Sequence, residues 1–297
     1  MSFRSGAIAA PFPLTSQGLR METRSARPSR YLGLTVLALV VLVFPKPKAV
    51  QAAMGLKRPD PAQVVPLDQV APHARAGVAE VIRDAHFHKQ GKPETFPCNP
   101  RIYSKLLNDP ILTLALWHDL GTTPARLDQT GPNKYQGTDG SGTNATWEFV
   151  LKSPRLNVLL CDLQYSSPRG NAKLEGRILL IVRSGYFREV NGEFWVQQEV
   201  EAYVKIDSRG WKAVAITLKP LIEKLLEDQV QEAGWFISLM GRLVETYPDW
   251  ASSVTTRQIQ LPAENRTGFV ELVKQTKRPG ASTGRPVLAD KGTTRTK

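Results

Sequence analysis

The sequence contains few of the residues from which metal centres and disulfide frameworks are built. Among 297 residues there are two cysteines and four histidines, and their spacing is not that of a zinc site. Two cysteines are too few for a disulfide framework. In an exported chain, Cys98 and Cys161 can form one disulfide. The alternative is that Cys161, within NVLLCDL, is a buried thiol on a strand.

Signatures of catalysis are also missing. The sequence has no G-x-S-x-G motif, no H-E-x-x-H motif and no Cys–His arrangement of a nucleophilic enzyme. Glu148, Glu199 and Glu201 can lie near one another on one strand face. The outer face of a sheet favours solvated carboxylates over an acid–base pair, which needs two unequal environments. Enzymatic activity is therefore left undecided, with a non-catalytic protein favoured, and no cofactor is indicated.

Net charge is missing from the central part of the chain. The formal charge is +12, but residues 1–52 and residues 252–297 each carry +6, so residues 53–251 hold 23 basic and 23 acidic side chains. A nucleic-acid-binding domain needs its own basic face, because phosphate neutralisation supplies much of the affinity. The neutral centre argues against nucleic acid as a partner.

Long hydrophobic runs are absent except for LGLTVLALVVLVF at 32–44. Thirteen helical residues span roughly 20 Å, which is short of a ~30 Å hydrocarbon core. Arginines precede the run and small residues near Ala52 follow it, which is the order of a secretory signal. We predict export to the periplasm, envelope or extracellular space, with 1–52 as the signal peptide. An uncleaved membrane anchor, an organellar presequence and a start at Met21 instead of Met1 are the alternatives.

The sequence after the signal predicts a linker followed by one α+β domain. Residues 53–72 are rich in proline and lack periodicity, which is typical of a linker. Residues 73–251 predict the domain. Within it, Asn99 and Asp109 are each followed by proline, and both can cap a short helix whose first turn tolerates proline.

Strands and one long helix make up the rest of the predicted domain. From about residue 133 the apolar pattern has period two, which predicts an antiparallel meander of five strands, or six if AHFHK at 85–89 is a strand. Apolar residues then recur every three or four positions over 218–247. This pattern predicts a C-terminal helix of roughly 40 Å that packs on the sheet. Residues 252–297 predict a basic, largely disordered tail.

Short helices, then a meander, then one long helix resemble the helix-grip (START-like, SRPBCC-type) fold. The resemblance covers about 95–250 and depends on element order. It implies a first strand before the short helices, and only AHFHK can supply that strand. FPCNPRIYSKLLNDP, LWHDLG and TDGSGTNATWEFV also resemble uncharacterised exported bacterial proteins, which implies no known activity.

Two candidate sites follow. The helix-grip resemblance implies an apolar ligand cavity between the long helix and the sheet, with a solid core as the alternative. Its lining would include Phe194, Val196, Val200, Phe236 and Met240. His86 and His88 would share one face if AHFHK is a strand. They are weak metal candidates, because no third ligand has a fixed spacing from them.

The function expected from these features is non-catalytic binding of an apolar small molecule or lipid by an exported protein. The alternative is a structural or interaction protein of the cell envelope with a packed core and no ligand. Residues 32–44 would add contact with a membrane if they are not cleaved. The sequence does not determine the oligomeric state.

Overall fold

A computed structural model describes residues 60–121, 124–140, 142–166, 173–207, 219–278 and 280–286. The side chains of 173, 219–225, 229 and 232 are outside this description. The predicted signal peptide and the first part of the predicted linker, up to residue 59, also lie outside the described residues. Within the described parts, no helix is both long enough and apolar enough to cross a membrane.

The described chain begins with a segment that covers the sheet. Its helices are α1 (Pro61–Val64) and α2 (Arg75–Arg83), and a short 3-10 turn precedes α2. Val65 and Val70 are buried, and the amide of Ala71 donates to the carbonyl of Val150 on the sheet at 2.8 Å. Residues 60–72, predicted to be linker, therefore pack as part of the folded domain.

Two short strands and two short helices come next. They are β1 (Phe87–Gln90), β2 (Glu94–Pro97), α3 (Pro100–Asn108) and α4 (Pro110–Asp119). The side chain of Asn99 accepts from Arg101 N at 2.9 Å, and that of Asp109 accepts from Leu112 N at 3.2 Å. Both predicted caps are confirmed, because a side chain that satisfies a free amide of the first turn fixes the start of a helix locally.

The described residues form one antiparallel sheet of eight strands. After β1 and β2 come β3 (Arg126–Gly131), β4 (Lys134–Thr138), β5 (Thr143–Lys152), β6 (Leu156–Ser166), β7 (Lys173–Arg188) and β8 (Phe194–Ile206). Strands β3 to β8 are neighbours in chain order, and both β1 and β2 pair with β8. The α+β prediction is confirmed, but five or six strands was too few, since β2 and β3 were not predicted.

Helices pack on one face of the sheet, which we call the inner face. The long helix is α5 (Lys219–Thr246), and it is followed by α6 (Pro248–Arg257) and α7 (Ala263–Thr276). With α3 and α4 they enclose the main core. The long helix is therefore present at nearly the predicted bounds, but it is not the last helix of the chain.

The other face of the sheet, the outer face, is covered by the N-terminal segment. Val78, Val81 and Ile82 of α2 form a second core with Leu179 and Ile181 of β7. A sheet with one solvated face was expected from the alternation in β8. The structure corrects this, because both faces of the central strands are covered.

The C-terminal part also differs from the prediction. Residues 252–276, expected to be largely disordered, lie mostly in α6 and α7, and Phe269 of α7 is fully buried. The basic residues that follow form ion pairs with the domain: Lys277 with Asp249, Arg278 with Glu245 and Arg285 with Asp119. Residues 287–297 lie outside the described residues.

Candidate functional site

The structure brings together four of the five residues predicted to line a cavity. Val196, Val200 and Met240 are buried in the main core, and Phe236 packs against it at the edge of Trp117, with ring centroids 4.9 Å apart. Phe194 differs, since it is 37% exposed at the start of β8.

Glycines make the contact between α5 and β8 a close one. A Cβ atom on Gly91 would lie 3.0 Å from both the carbonyl oxygen of Val200 and Cγ1 of Val230. A Cβ on Gly241 would lie 2.9 Å from Sγ of Cys98. Such distances leave no room for a side chain. The predicted interface between the long helix and the sheet is therefore tightly packed at these glycines. We call this part, which includes Gly91, Val200, Val230 and Gly241, the α5–β8 seam.

Polar side chains also hold the seam together. Glu94 Oε1 accepts from Ser238 Oγ at 2.6 Å and from Arg242 Nη2 at 3.2 Å. The amide of Gln198 donates to the carbonyl of Gly234 at 3.0 Å. A buried polar group stabilises a fold only when it is hydrogen-bonded. These bonds fix the position of α5 on β2 and β8.

Elsewhere, the inner face of the sheet stays partly accessible. Leu180 lies on an interior strand, opposite Leu159 on one neighbour and Ala202 on the other, and its side chain is still only half-buried. Three other half-buried side chains pack with it between the main core and the small cluster of Tyr135, Phe149 and Leu159. The region, called the Leu180 region below, consists of Ile111, Leu127, Trp147 and Leu180.

The Leu180 region has a small number of polar groups. The indole Nε1 of Trp147 is buried and has no hydrogen-bond partner among the described residues. Burial, followed by the charge of Asp109, raises the pKa of the nearby Tyr135 hydroxyl. Lys152 Nζ lies 4.2 Å from the centroid of the Phe149 ring, and burial lowers the pKa of this lysine. Of these groups, the indole of Trp147 has a donor that no described residue uses, and it can donate one hydrogen bond.

The candidate metal pair is not assembled into a site. His86 lies before β1, and its Nδ1 accepts from Ile206 N at 3.2 Å. His88 lies within β1 and contacts Glu201. Among the described residues there is no cluster of three or more His, Cys, Asp or Glu side chains that could hold a metal ion.

Glu201 is the centre of a charge cluster under the N-terminal segment. Its carboxylate accepts from Nε2 of His88 and from the hydroxyl of Tyr203, both at 2.8 Å, and from Nη1 of Arg183 at 2.5 Å. Burial acts to raise the pKa of Glu201, but these hydrogen bonds outweigh it and hold the pKa at about 2. Arg183 also donates to the carbonyl of Val64 at 3.0 Å, so the cluster attaches the N-terminal segment to the sheet.

The two cysteines are free and buried, so the disulfide considered from the sequence is not formed. Burial raises the pKa of both thiols, well above the usual range in each case. A thiol that stays protonated is a poor nucleophile. The alternative from the sequence, a buried thiol at Cys161 on a strand, is what the structure contains.

The sequence carried a signal for the Leu180 region that alternation alone does not show. Residues 178–182 read ILLIV, a continuous apolar run within β7. Such a run is typical of a strand covered on both faces. It indicates that Leu180 faces an interior, but it cannot show that this part of the interior remains accessible.

No family model matches the chain, and no curated protein is significantly similar to it. Among solved structures, it is similar to those of uncharacterised bacterial proteins. A conserved protein from Geobacillus kaustophilus is 17% identical over 52% of this chain and 96% of its own, with a TM-score of 0.34. A hypothetical protein from Helicobacter pylori is 13% identical over 65% of this chain and 100% of its own, also with a TM-score of 0.34. A protein from Rhizobium leguminosarum is 12% identical over 52% of this chain and 96% of its own, with a TM-score of 0.27.

Proposed function

We propose that the protein binds an apolar small molecule or lipid at the Leu180 region, without catalysing a reaction on it. The observation that carries the proposal is the half-buried Leu180, because its neighbours along β7 from Ile178 to Val182 are all buried. Apolar surface left accessible there forgoes about 25 cal/mol per Å² of burial free energy. A ligand that covers Leu180, Leu127 and Ile111 would recover it.

The polar groups restrict the ligand to an apolar molecule with a hydrogen-bond acceptor. Trp147 supplies an indole N–H that lacks a partner among the described residues. A buried donor without a partner costs free energy, which a carbonyl, ester or carboxylate oxygen of the ligand would offset. Apolar sites with a few well-placed polar groups are typical of small-molecule binding.

The order of elements supports a helix-grip assignment for this domain. β1 and β2 come before α3 and α4, the strands β3 to β8 follow as consecutive neighbours, and α5 comes after the sheet. In this assignment β1 and β2 together take the place of the first strand. The ligand would then lie between the sheet and the helices on its inner face, as the resemblance implies.

The location proposed for the function is outside the cytoplasm. Support comes from the sequence alone, through the apolar run at 32–44 and the small residues near Ala52. N-terminal sequencing of the protein recovered from its native host tests this step. A mature chain that starts close to residue 53 is expected, and a cytoplasmic chain with an intact N-terminus would contradict export.

Native mass spectrometry of the purified protein, with solvent extraction and analysis of any released compound, tests the ligand. The wild-type protein is expected to carry a removable apolar compound, or to bind 1-N-phenylnaphthylamine with increased fluorescence after delipidation. The Leu180→Trp variant should lose both signals, because an indole fills the accessible region. Ile259→Trp is the matched control, since Ile259 is exposed and adds the same group elsewhere.

A second candidate function is that of a structural or interaction protein with a solid core. The tightly packed α5–β8 seam favours it, since Gly91 and Gly241 there bring backbone and side-chain atoms into close contact. The same experiment separates the two functions. A wild-type protein with no bound compound and no response to the fluorescent probe would contradict ligand binding and leave the second candidate.

A further inference from the structure

Exposed apolar side chains are concentrated at the end of the β7–β8 hairpin. The described residues include five exposed large apolar side chains, and three of them, Phe187, Val190 and Phe194, lie within eight positions of one another. Val190 is in the turn and is 108% exposed. A single exposed apolar residue is ordinary, but a cluster of them marks an interaction surface.

The cluster occupies both faces of the hairpin as well as its turn. Phe187 is opposite Trp195, and the two rings stack on one face with centroids 6.3 Å apart. Phe194 is opposite Arg188 on the other face, and the guanidinium lies 5.1 Å from the ring centroid. A flat protein surface covers one face of a hairpin. A tip that is apolar on two faces and at its turn needs a medium that surrounds it.

The end of the hairpin, residues 187–194, which we call the tip, extends beyond the neighbouring strand β6. β6 pairs with β7 only as far as Arg183, whereas β7 continues to Arg188 and the turn follows it. The side chain of Tyr186 donates to the carbonyl of Pro154 at 2.6 Å and fixes the hairpin on the turn between β5 and β6. The last residues of the hairpin are therefore held in place while their apolar side chains stay exposed.

The charges around the tip suit a lipid headgroup region. Arg155, in the turn between β5 and β6, and Arg188 lie at this end of the sheet. Of the two carboxylates in the connection between β7 and β8, Glu193 forms an ion pair with Arg278. Glu189 therefore offsets the charge of only one of the two arginines. Apolar and aromatic side chains beside arginines are typical of segments that lie in a membrane interface.

The chain enters the domain at this same end of β7. The carbonyl of Val64 accepts from Arg183, so the first described residues lie beside β7 near the point where the pairing of β6 with β7 ends. Fifteen residues, 45–59, separate the apolar run 32–44 from residue 60. Fifteen residues reach at most about 50 Å when extended. A precursor held in a bilayer by 32–44 can therefore bring the hairpin tip to the same surface.

We propose that the end of the β7–β8 hairpin inserts into the interfacial layer of a lipid bilayer. Phe187, Val190 and Phe194 are the inserted side chains, with Arg155 and Arg188 at the level of the headgroups. This membrane contact would be separate from any contact made by residues 32–44, and it does not involve the Leu180 region. It would hold the domain in one orientation on the membrane surface.

A site-specific fluorophore on the full-length chain tests the insertion even if residues 32–44 bind vesicles by themselves. Val190→Cys is labelled with a nitrobenzoxadiazole group, and Ile259→Cys in the link between α6 and α7 is the matched control. The native thiols Cys98 and Cys161 are buried, and mass spectrometry confirms one label per chain. The vesicles contain phosphatidylcholine and phosphatidylglycerol in a seven-to-three ratio, with or without doxyl-labelled lipid.

The label at 190 is expected to gain at least about twofold in emission on vesicles and to be quenched by doxyl lipid, while the label at 259 changes little. Adding Phe187→Ser and Phe194→Ser should lower the apparent affinity of the labelled tip about tenfold, through lost apolar burial. Equal responses at 190 and 259, or none at 190, would overturn the proposal. An emission gain at 190 that depends on protein concentration without vesicles would overturn it too, and would indicate self-association.

Discussion

The Nε2 atom of His88 on β1 lies 2.8 Å from Oε1 of Glu201 on β8, and the imidazole stacks on Tyr203, with centroids 4.3 Å apart. The two residues are on neighbouring strands of the outer face, where the sequence suggested solvated side chains. Glu201 is instead 6% exposed. Its ionised form is stabilised by three donors, one of which, Arg183, also holds the N-terminal segment through Val64.

Replacing Glu201 with Gln is expected to destabilise the protein by about 1–3 kcal/mol at pH 7, because three donors lose a charged acceptor. The folded-state pKa of Glu201 is about 2, below its usual 4.5. A lowered pKa means that this stabilisation is complete above about pH 4.5 and disappears as the pH falls towards 2. Urea unfolding of both proteins from pH 7 down to pH 2.5 measures the difference, which should shrink over that window.

Glu199→Gln is the control for this prediction. Glu199 is on the same strand face and is half-buried, and it accepts from the side chain of Gln90. Loss of one charge in a partly solvated pair should cost less than about 1 kcal/mol. A constant stability difference between wild type and Glu201→Gln from pH 7 to pH 2.5 would contradict the role given to Glu201.

The close contact at Gly241 predicts that a helix-favouring substitution will destabilise α5. Gly→Ala in a helix normally stabilises by up to about 1 kcal/mol. At Gly241 the added Cβ would lie 2.9 Å from Sγ of Cys98, and overpacking of a core costs about 1–3 kcal/mol. Chemical denaturation of Gly241→Ala should therefore show a net loss of stability.

Two further variants separate the steric contact from helix propensity. A Cβ atom added to Gly268 in α7 would meet no heavy atom within 4 Å outside its own helix backbone, so Gly268→Ala is expected to stabilise by up to about 1 kcal/mol. The variant Cys98→Ala lacks the sulfur atom. Gly241→Ala should therefore cost less stability when added to Cys98→Ala than when added to the wild type. Equal effects of alanine at 241 and 268 would rule out the close contact.

Local sequence chemistry was sufficient for much of the fold. The caps at Asn99 and Asp109 depend on atoms two or three residues away, and the alternation in β8 depends on a long strand with one apolar face. β3 could not be found in this way. It reads RLDQTG, its side chains are mostly exposed, and its only strand neighbour among the described residues is β4. An edge strand of this kind carries no apolar period.

The candidate site was harder to predict, because its properties depend on distances between elements. The periodicity assigns Val196, Val200 and Met240 to an interior face, and all three are buried. Periodicity shows which side of an element is buried, but not how wide the gap is between two packed elements. Gly91 and Gly241 close that gap at the seam, and only the folded chain shows which atoms they face. Glu201 was misplaced for a related reason, since the apolar face of α2 does not show which face of the sheet the N-terminal segment covers.

The ion pairs after α7 give a last prediction, on the residues expected to be a disordered tail. Arg278 Nη2 lies 2.7 Å from Oε2 of Glu245, whose side chain is 8% exposed, whereas Lys277 pairs with Asp249 among exposed atoms. Arg278→Ala leaves a buried carboxylate without its guanidinium and should cost about 1–3 kcal/mol. Lys277→Ala, one position away, should cost less than about 1 kcal/mol, and 0.5 M salt should reduce that small effect further. Thermal and urea unfolding compare the two variants. Because a free tail would make both substitutions neutral, a neutral Arg278→Ala would show that 277–286 does not pack on α5 and α6.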